Sequence, residues 1–192
     1  MEIKRIVCGL LEANAYIVDG KYVIDPGDDI DKLRAAAGNA EAILLTHGHF
    51  DHMLGAELLQ KETGAKLYLH AADAGMLTDE HLSAYMAEYC RLEQPTEIVR
   101  SDYPDEIFGF KVLHTPGHTP GCVCLYNEKE KVLFSGDTLF RAGYGRYDLP
   151  GGNVQELVKS LNMLLSLPGD TVVYPGHGEK TTIYEECRRY GR

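Results

Sequence analysis

The stretch THGHFDH, residues 46–52, places three histidines and an aspartate within seven positions, directly after the apolar run AILL at 42–45. Because side chains alternate along an extended chain, His47 and His49 point to the same side of a strand end. His52 breaks that alternation, so the four polar side chains converge only if the chain turns within the motif. Gly48 eases such a turn. We therefore predict a buried strand that ends here and a helix that begins near Met53.

Three further polar side chains follow apolar runs in loops rich in glycine and proline. His118 lies in HTPGHTPG, Asp137 in FSGDT and His177 in YPGHG. Loops at strand ends are where a rigid scaffold presents functional groups, and imidazole and carboxylate groups are ligands that zinc, iron and manganese accept. Seven such residues exceed the needs of one four-coordinate ion. The set therefore predicts two metal ions with one shared carboxylate: His47, His49, Asp51, His52, His118, Asp137 and His177.

Composition and charge disfavour several classes of protein. The chain has 192 residues and a formal net charge of −10 without a local cluster of Lys and Arg, which disfavours nucleic acid as a partner. No apolar run approaches the ~20 residues that cross a bilayer, and charges at positions 2, 4, 5 and 12 interrupt any signal peptide. Five scattered cysteines without a CxxC pair favour reduced thiols. We expect a single cytoplasmic domain, 1–192, without membrane contact and of open oligomeric state.

Periodicity and turn residues predict the remaining elements. Runs rich in β-formers at 15–18 and 22–24 flank Asp19-Gly20, a dipeptide that favours a hairpin turn. In one strongly amphipathic helix, 153–167, we expect Asn153 as N-cap with Glu156 as its capping-box partner. Further strands are predicted at 42–45, 66–69, 108–113, 123–126, 131–134 and 171–174, and further helices at 28–37, 53–63, 79–92 and 182–190.

The order of these motifs resembles that of the metallo-β-lactamase superfamily. The resemblance extends from DPG at 25–27, through HxHxDH, a loop histidine and a loop aspartate, to GHGEKTT at 176–182. The phrases TPGHTPG, SGDTLF and YGRYDLPGG are similar to those of glyoxalase II and its shorter bacterial relatives. The implied fold is of the α+β class, an αββα four-layer sandwich in which two mixed sheets pack face to face with helices outside.

The resemblance also implies a ligand set and an activity. His47, His49 and His118 would bind one divalent ion, Asp51, His52 and His177 a second, and Asp137 both. Asp25 would support the ligand loops without binding metal. The expected metal is zinc, with iron or manganese as alternatives. The implied activity is hydrolysis of a thioester, such as a 2-hydroxyacyl glutathione, by a metal-bridging hydroxide that Asp51 also helps to steer.

Contacts with the substrate are less well defined by the resemblance. Glyoxalase II has an additional C-terminal helical domain that contacts glutathione, and we expect no such domain here. Arg146 falls where glyoxalase II carries a lysine, so it would meet a substrate carboxylate or form an ion pair with Asp148. Tyr144 and Tyr147 flank it and would line a pocket. The 79–92 segment, with its tyrosines and methionine, is a further candidate to cover the site.

Other functions remain open at this point. A persulfide dioxygenase shares the implied fold but uses one iron, for which His47, His118 and Asp137 would serve. A class B β-lactamase is disfavoured because those enzymes carry Arg and Cys where this chain has His52 and Asp137. A ribonuclease Z-type nuclease is disfavoured by the acidic charge. A non-catalytic binding protein that is stabilised by metal predicts closed coordination without a position for water.

Overall fold

The computed structural model of the chain describes residues 1–191. Its strands are β1 (Ile3–Cys8), β2 (Ala13–Val18), β3 (Tyr22–Ile24), β4 (Ala42–Leu44), β5 (Lys66–Tyr68), β6 (Arg100–Ser101), β7 (Glu106–Ile107), β8 (Phe110–His114), β9 (Val123–Asn127), β10 (Val132–Gly136), β11 (Leu139–Phe140), β12 (Gly143–Tyr144), β13 (Val172–Pro175) and β14 (Thr181–Thr182). Its α-helices are α1 (Ile30–Ala37), α2 (Phe50–Met53), α3 (Ala56–Thr63), α4 (Val154–Leu164) and α5 (Ile183–Arg189), and two 3₁₀ segments span Ala71–Leu77 and Ala87–Tyr89. Within residues 1–191, no helix has the length and apolar character that crossing a bilayer requires.

Two six-stranded sheets, both mixed, form the framework. In the first sheet the strand order is β1-β2-β3-β4-β5-β6, antiparallel from β1 to β3 and parallel from β3 to β6. In the second the order is β14-β13-β10-β9-β8-β7, where β10 and β13 pair in parallel and the other neighbours are antiparallel. Strands β11 and β12 form a separate hairpin.

Alternation along the strands separates the buried side chains into layers. On β3, Val23 packs with residues of α1 and α3, whereas the next residue, Ile24, packs with Phe134 of the second sheet. On β10, Leu133 faces the other way and packs with Leu157 of α4. The order of layers is therefore helix, sheet, sheet, helix, and the predicted αββα sandwich is confirmed.

The loops that carry the predicted ligands leave the sheets at one edge. Strands β8, β10 and β13 run in the same direction, since β9 is antiparallel to both β8 and β10 and β13 is parallel to β10. Their carboxyl ends lead to His118, Asp137 and His177. The loop after β4 is fixed at the same edge, because Val123 N of the second sheet donates to Thr46 O at 2.8 Å.

The start of α4 shows which part of the predicted capping box forms. Asn153 Oδ1 accepts from the backbone N–H groups of Gln155 (2.9 Å) and Glu156 (3.1 Å), so the predicted N-cap is confirmed. The Glu156 carboxylate binds Lys159 Nζ at 2.7 Å, while Asn153 N donates to Gly117 O. The second bond of the predicted capping box, from Asn153 N to the Glu156 carboxylate, was therefore predicted wrongly. Asn153 N donates to Gly117 O of another loop instead.

The predicted helix at 79–92 is wrong. The segment forms turns and a single 3₁₀ turn, and Ala84 has a φ of 56°, which interrupts any helix. Its end is held by tertiary hydrogen bonds, since the Asp28 carboxylate accepts from Arg91 N (2.6 Å) and Leu92 N (2.9 Å). These tertiary hydrogen bonds take the place of the backbone bonds of the helix that the 3.6-residue spacing of apolar side chains predicted.

Three smaller differences concern element boundaries. The helix predicted at 53–63 is split at Gly55, whose N–H donates to Pro26 O at 2.9 Å. The strand predicted at 108–113 begins only at Phe110, because Phe108 and the glycine after it have positive φ values of 49° and 81° and form the turn between β7 and β8. The first strand, β1, was not predicted, although it pairs along its whole length with β2.

The capping geometry of α4 predicts an unequal cost of two substitutions. Asn153→Ala removes an acceptor from two helix N–H groups and should lower the free energy of unfolding by about 1 kcal/mol. Glu156→Ala removes an exposed ion pair and should cost less than about 0.5 kcal/mol. Denaturant unfolding monitored by circular dichroism measures both. An equal loss in the two variants would contradict the observed cap.

Candidate metal centre

Three histidines from two loops form the first group of potential ligands. His47 and His49 follow β4, and His118 lies in the loop after β8. One ring nitrogen of each lies within 4.8 Å of the others, and His49 Nδ1 is 2.8 Å from His118 Nε2. All three side chains are buried. The structure thus brings together the three residues that the resemblance assigns to one ion.

A second group lies beside it. Ligand atoms of Asp51, His52 and His177 are within 4.8 Å of one another, and His177 Nε2 is 3.2 Å from Asp51 Oδ2. Asp137 lies between the groups, since its Oδ1 is 3.4 Å from His52 Nε2 and its Oδ2 is 3.5 Å from His118 Nε2. Its carboxylate therefore occupies the position expected of a shared ligand.

Hydrogen bonds on the far side of the rings determine which nitrogen carries the proton. His118 Nδ1 is 2.6 Å from Arg146 O, and His177 Nδ1 is 3.1 Å from Leu11 O. A carbonyl oxygen only accepts, so each Nδ1 must be the donor. In the neutral ring, each Nε2 then carries a lone pair that is available to a metal ion.

Asp25 and Thr46 fix two more of the five rings, those of His47 and His52, through a short relay. The Asp25 carboxylate accepts from Thr46 N (2.7 Å), from Thr46 Oγ1 (2.6 Å) and from His52 Nδ1 (3.2 Å). Because the Thr46 hydroxyl donates to Asp25, its oxygen accepts from His47 Nδ1 at 3.0 Å. Both rings therefore direct Nε2 away from this relay, and Asp25 lies behind the loop that carries His47 and His52.

The resulting arrangement of acceptors needs cations. His52 Nε2 and His177 Nε2 are 3.2 Å apart, and two lone pairs at this distance repel unless a proton or a metal ion lies between them. His47 Nε2 and Asp137 Oδ1 are buried without a hydrogen-bond partner in the described part of the chain, at a cost of about 1–3 kcal/mol each. Imidazole and carboxylate donors suit divalent transition metals. The residues present therefore fit a pair of such ions.

Burial and nearby charge shift the histidine pKa values of the two ligand groups in opposite directions. Burial lowers the pKa of His47 well below its usual value of 6.5 and that of His49 to about 3. Burial opposes protonation of His52 as well, but the carboxylates of Asp51 and Asp137 outweigh it and raise the pKa of His52 to about 10. At neutral pH a proton therefore occupies the second group and competes with a metal ion there.

A cavity of about 350 Å³ opens onto both groups. Arg146 lines it, and its guanidinium forms a two-point ion pair with Asp148 at 2.7 and 2.8 Å, which is one of the two contacts that the sequence left open for this residue. Tyr144 and Tyr147 are not among the described residues that line the cavity, and Tyr144 contacts a separate pocket against α4. The lining consists of Leu11, His49, Asp51, Met86, His118, Asp137, Phe140, Arg146, Leu149 and His177.

The 79–92 segment contributes one side chain, Met86, to the cavity wall. Tyr85 packs edge-on against Phe50, with ring centroids 6.0 Å apart, and Tyr89 is exposed. The segment therefore covers the site only in part, and it does so as a loop that is held by tertiary contacts.

Sequence reasoning missed two polar residues that organise the site. Thr46 connects Asp25 to His47, and a signal existed, since a hydroxyl residue directly precedes the first histidine. Asp73 binds both loops of the first ligand group. No local pattern marks it, because HAADAGML resembles an ordinary turn.

Comparison with known proteins agrees with this geometry. A family model described as Metallo-beta-lactamase superfamily matches residues 8–177. Probable metallo-hydrolase YqgX from Bacillus subtilis is 34% identical over 97% of this chain and 94% of its own length. Hydroxyacylglutathione hydrolase GloC from Haemophilus influenzae is 33% identical over 86% of this chain and 84% of its own.

Two solved structures are similar over nearly the whole chain. TTHA1623, in a di-iron-bound form, has a TM-score of 0.90 and 39% identity, covering 97% of this chain and 98% of its own. BLEG-1, described as a B3 metallo-beta-lactamase, has a TM-score of 0.87 and 36% identity, covering 97% of each chain.

The relay through Asp25 predicts a selective effect on metal affinity. Asp25 has a φ of 50°, which asparagine tolerates, so Asp25→Asn keeps the backbone but turns an acceptor into a donor. We expect affinity for Zn²⁺ to fall by about 10- to 100-fold, measured by competition with a chromophoric chelator. Asp19→Asn, at an exposed turn residue with the same φ, is the matched control. Native affinity in both variants would contradict the relay.

The protonation of His52 predicts different pH dependences for the two ions. An ion that binds beside His52 would have to displace a proton until the pH reaches about 10, so its affinity should rise about tenfold per pH unit between pH 7 and pH 9. An ion that binds to His47 and His49, whose pKa values are lowered, should respond little over this range. Stepwise Zn²⁺ titration at several pH values measures both affinities, and two parallel dependences would refute the assignment.

Proposed function

The chain belongs to the metallo-beta-lactamase superfamily, and we propose that it is a binuclear metal hydrolase that cleaves a thioester such as a 2-hydroxyacyl glutathione. One observation carries the proposal: two ligand groups, joined by Asp137, lie at an open cavity. The similarity to Hydroxyacylglutathione hydrolase GloC supports the thioester class. The similarity to TTHA1623 supports a pair of ions, for which we propose zinc, with iron or manganese as alternatives.

In the proposal each ligand group would hold one ion. The residues of the first group are His47, His49 and His118, those of the second are Asp51, His52 and His177, and Asp137 would serve both ions. When bound, two divalent ions supply Lewis acidity, which lowers the pKa of a nearby water and stabilises negative charge on a carbonyl oxygen. The protein's part is to hold the lone pairs in place and to keep the reaction in a partly apolar cavity.

Asp51 is the residue that we assign to orient the attacking water. Its Oδ2 lies 3.2 Å from His177 Nε2 and 3.6 Å from His52 Nε2, and the side chain reaches the cavity. Burial alone would raise the pKa of the Asp51 carboxyl, but the two histidines hold it well below its usual value. An ionised carboxylate accepts a hydrogen bond from water and so directs the oxygen lone pair toward the carbonyl carbon.

No cysteine is placed to act as the nucleophile. Burial raises the pKa of Cys8 to about 11 and that of Cys124 to about 12, so both thiols stay protonated at neutral pH. None of the five cysteines is among the described residues that line the cavity. This supports direct attack by water on the thioester.

The cavity suits a small acyl group with an anionic thiol carrier. Phe140, Leu11 and Leu149 supply apolar walls, and Arg146 supplies a cation at the rim. A substrate carboxylate would reach Arg146 by exchanging with Asp148, an exposed partner whose ion pair is worth little in water. We keep Tyr144 and Tyr147 as candidate contacts for the carrier outside the cavity, and a small molecule as the proposed partner.

A mono-iron persulfide dioxygenase is the second candidate. His47, His118 and Asp137 would hold the iron, and His118 Nε2 is 3.5 Å from Asp137 Oδ2. A non-catalytic metal-stabilised protein is disfavoured, because the ligands face an open cavity.

Parallel assays of the zinc- and iron-loaded protein test the proposal. We expect release of thiol from a 2-hydroxyacyl glutathione thioester, without oxygen uptake, and no oxygen uptake with glutathione persulfide. His177→Asn should lower kcat/KM by at least about 100-fold, because it removes a ligand. His81→Asn, at an exposed histidine outside the site, is the control and should leave the rate unchanged.

Other outcomes would replace the proposal. Oxygen-dependent turnover of the persulfide without thioester cleavage would identify the dioxygenase. A chromogenic β-lactam is included because of the similarity to BLEG-1. Its cleavage, without cleavage of the thioester, would identify β-lactams as the substrate class.

A further inference from the structure

Asp73 is a buried carboxylate that the proposed chemistry does not use. It has no exposed surface and lies in the 3₁₀ segment Ala71–Leu77. Within residues 1–191 it forms no ion pair. A buried charge of this kind is tolerated only where hydrogen bonds replace its lost hydration. The position of those donors therefore indicates what the carboxylate holds together.

One donor belongs to the first ligand loop. Asp73 Oδ2 accepts from Gly48 N at 3.1 Å, and Gly48 is the residue between His47 and His49. The loop also rests directly on the 3₁₀ segment, since a Cβ on Gly48 would lie 2.5 Å from Met76 Cβ. The backbone that directs both imidazoles is thus fixed to the segment that carries Asp73.

The other donors belong to the loop of His118. Asp73 Oδ2 accepts from Thr119 Oγ1 and Asp73 Oδ1 from Gly121 N, each at 2.6 Å. Thr119 directly follows His118, and a Cβ on Gly121 would lie 2.6 Å from Asp73 Oδ1. One carboxylate therefore binds, on both sides, the two loops that supply the first ligand group.

We infer that Asp73 is a positioning residue for the first metal ion: it sets the distance between the loop of His47 and His49 and the loop of His118. It acts through Gly48 and Thr119, and within residues 1–191 it forms no hydrogen bond with a ligand side chain. No hydrogen bond of Asp73 within residues 1–191 reaches the loop of His177, so its effect should be confined to one ion. The inference rests on the proposed metal centre and does not depend on the substrate.

Co²⁺ titrations of single-ion backgrounds test the inference. His177→Asn leaves the first ligand group intact, and His118→Asn leaves the second. In the His177→Asn background, Asp73→Asn should weaken Co²⁺ binding by about 10- to 100-fold, the usual effect of losing a residue that orients ligands. In the His118→Asn background, the same substitution should change affinity by less than about threefold. Equal effects in both backgrounds, or none in either, would overturn the inference.

Two substitutions of Thr119 form a matched pair that leaves Asp73 itself unchanged. Thr119→Val removes the hydroxyl that donates to Asp73, whereas Thr119→Ser keeps it. In the His177→Asn background the valine variant should bind Co²⁺ more weakly, and the serine variant should bind at close to native strength. This pair decides the question if Asp73→Asn does not fold, and equal affinities of the two would contradict the inference. A native chain that binds fewer than two ions would instead overturn the proposed metal centre itself.

Discussion

The structure depends on one electrostatic constraint: lone pairs of four imidazoles converge beside a single cavity. His47, His52, His118 and His177 each donate the Nδ1 proton away from the cavity, to a hydroxyl, a carboxylate or a backbone carbonyl. Their Nε2 atoms must then find positive charge inside it. Without such charge the acceptor atoms repel one another, as His52 Nε2 and His177 Nε2 do at 3.2 Å. Divalent ions would relieve this repulsion, which is why the site suits them.

The fold satisfies the constraint by bringing strand ends and tight turns to one edge. Three strands of the second sheet end beside the loop that follows β4, so ligands that are far apart in sequence meet without long excursions. Close approach also requires glycine at particular positions. A Cβ on Gly176 would lie 2.1 Å from Asp137 Oδ1, which is inside any tolerable contact. The backbone before His177 can therefore approach the Asp137 carboxylate this closely only without a side chain at position 176.

The sequence was sufficient for those features that local chemistry determines. The break in alternation at His52 predicted a turn within the motif, and glycine-rich strand ends predicted the other ligand loops. Tertiary contacts determined the rest. The periodic 79–92 segment is not a helix, because the positive φ of Ala84 and the hydrogen bonds of Asp28 fix it as a loop. Asp73 gave no signal, because its role exists only once two distant loops lie against it.

The number of metal ions per chain tests the central claim most directly. The protein should be loaded separately with excess zinc, iron or manganese, freed of unbound metal by gel filtration, and measured by elemental analysis against protein concentration. The ligand geometry predicts two ions per chain for at least one of these metals at a pH near 9, where the proton on His52 is displaced most readily. A value of one ion per chain under all conditions would contradict the binuclear centre and with it the proposed hydrolytic chemistry.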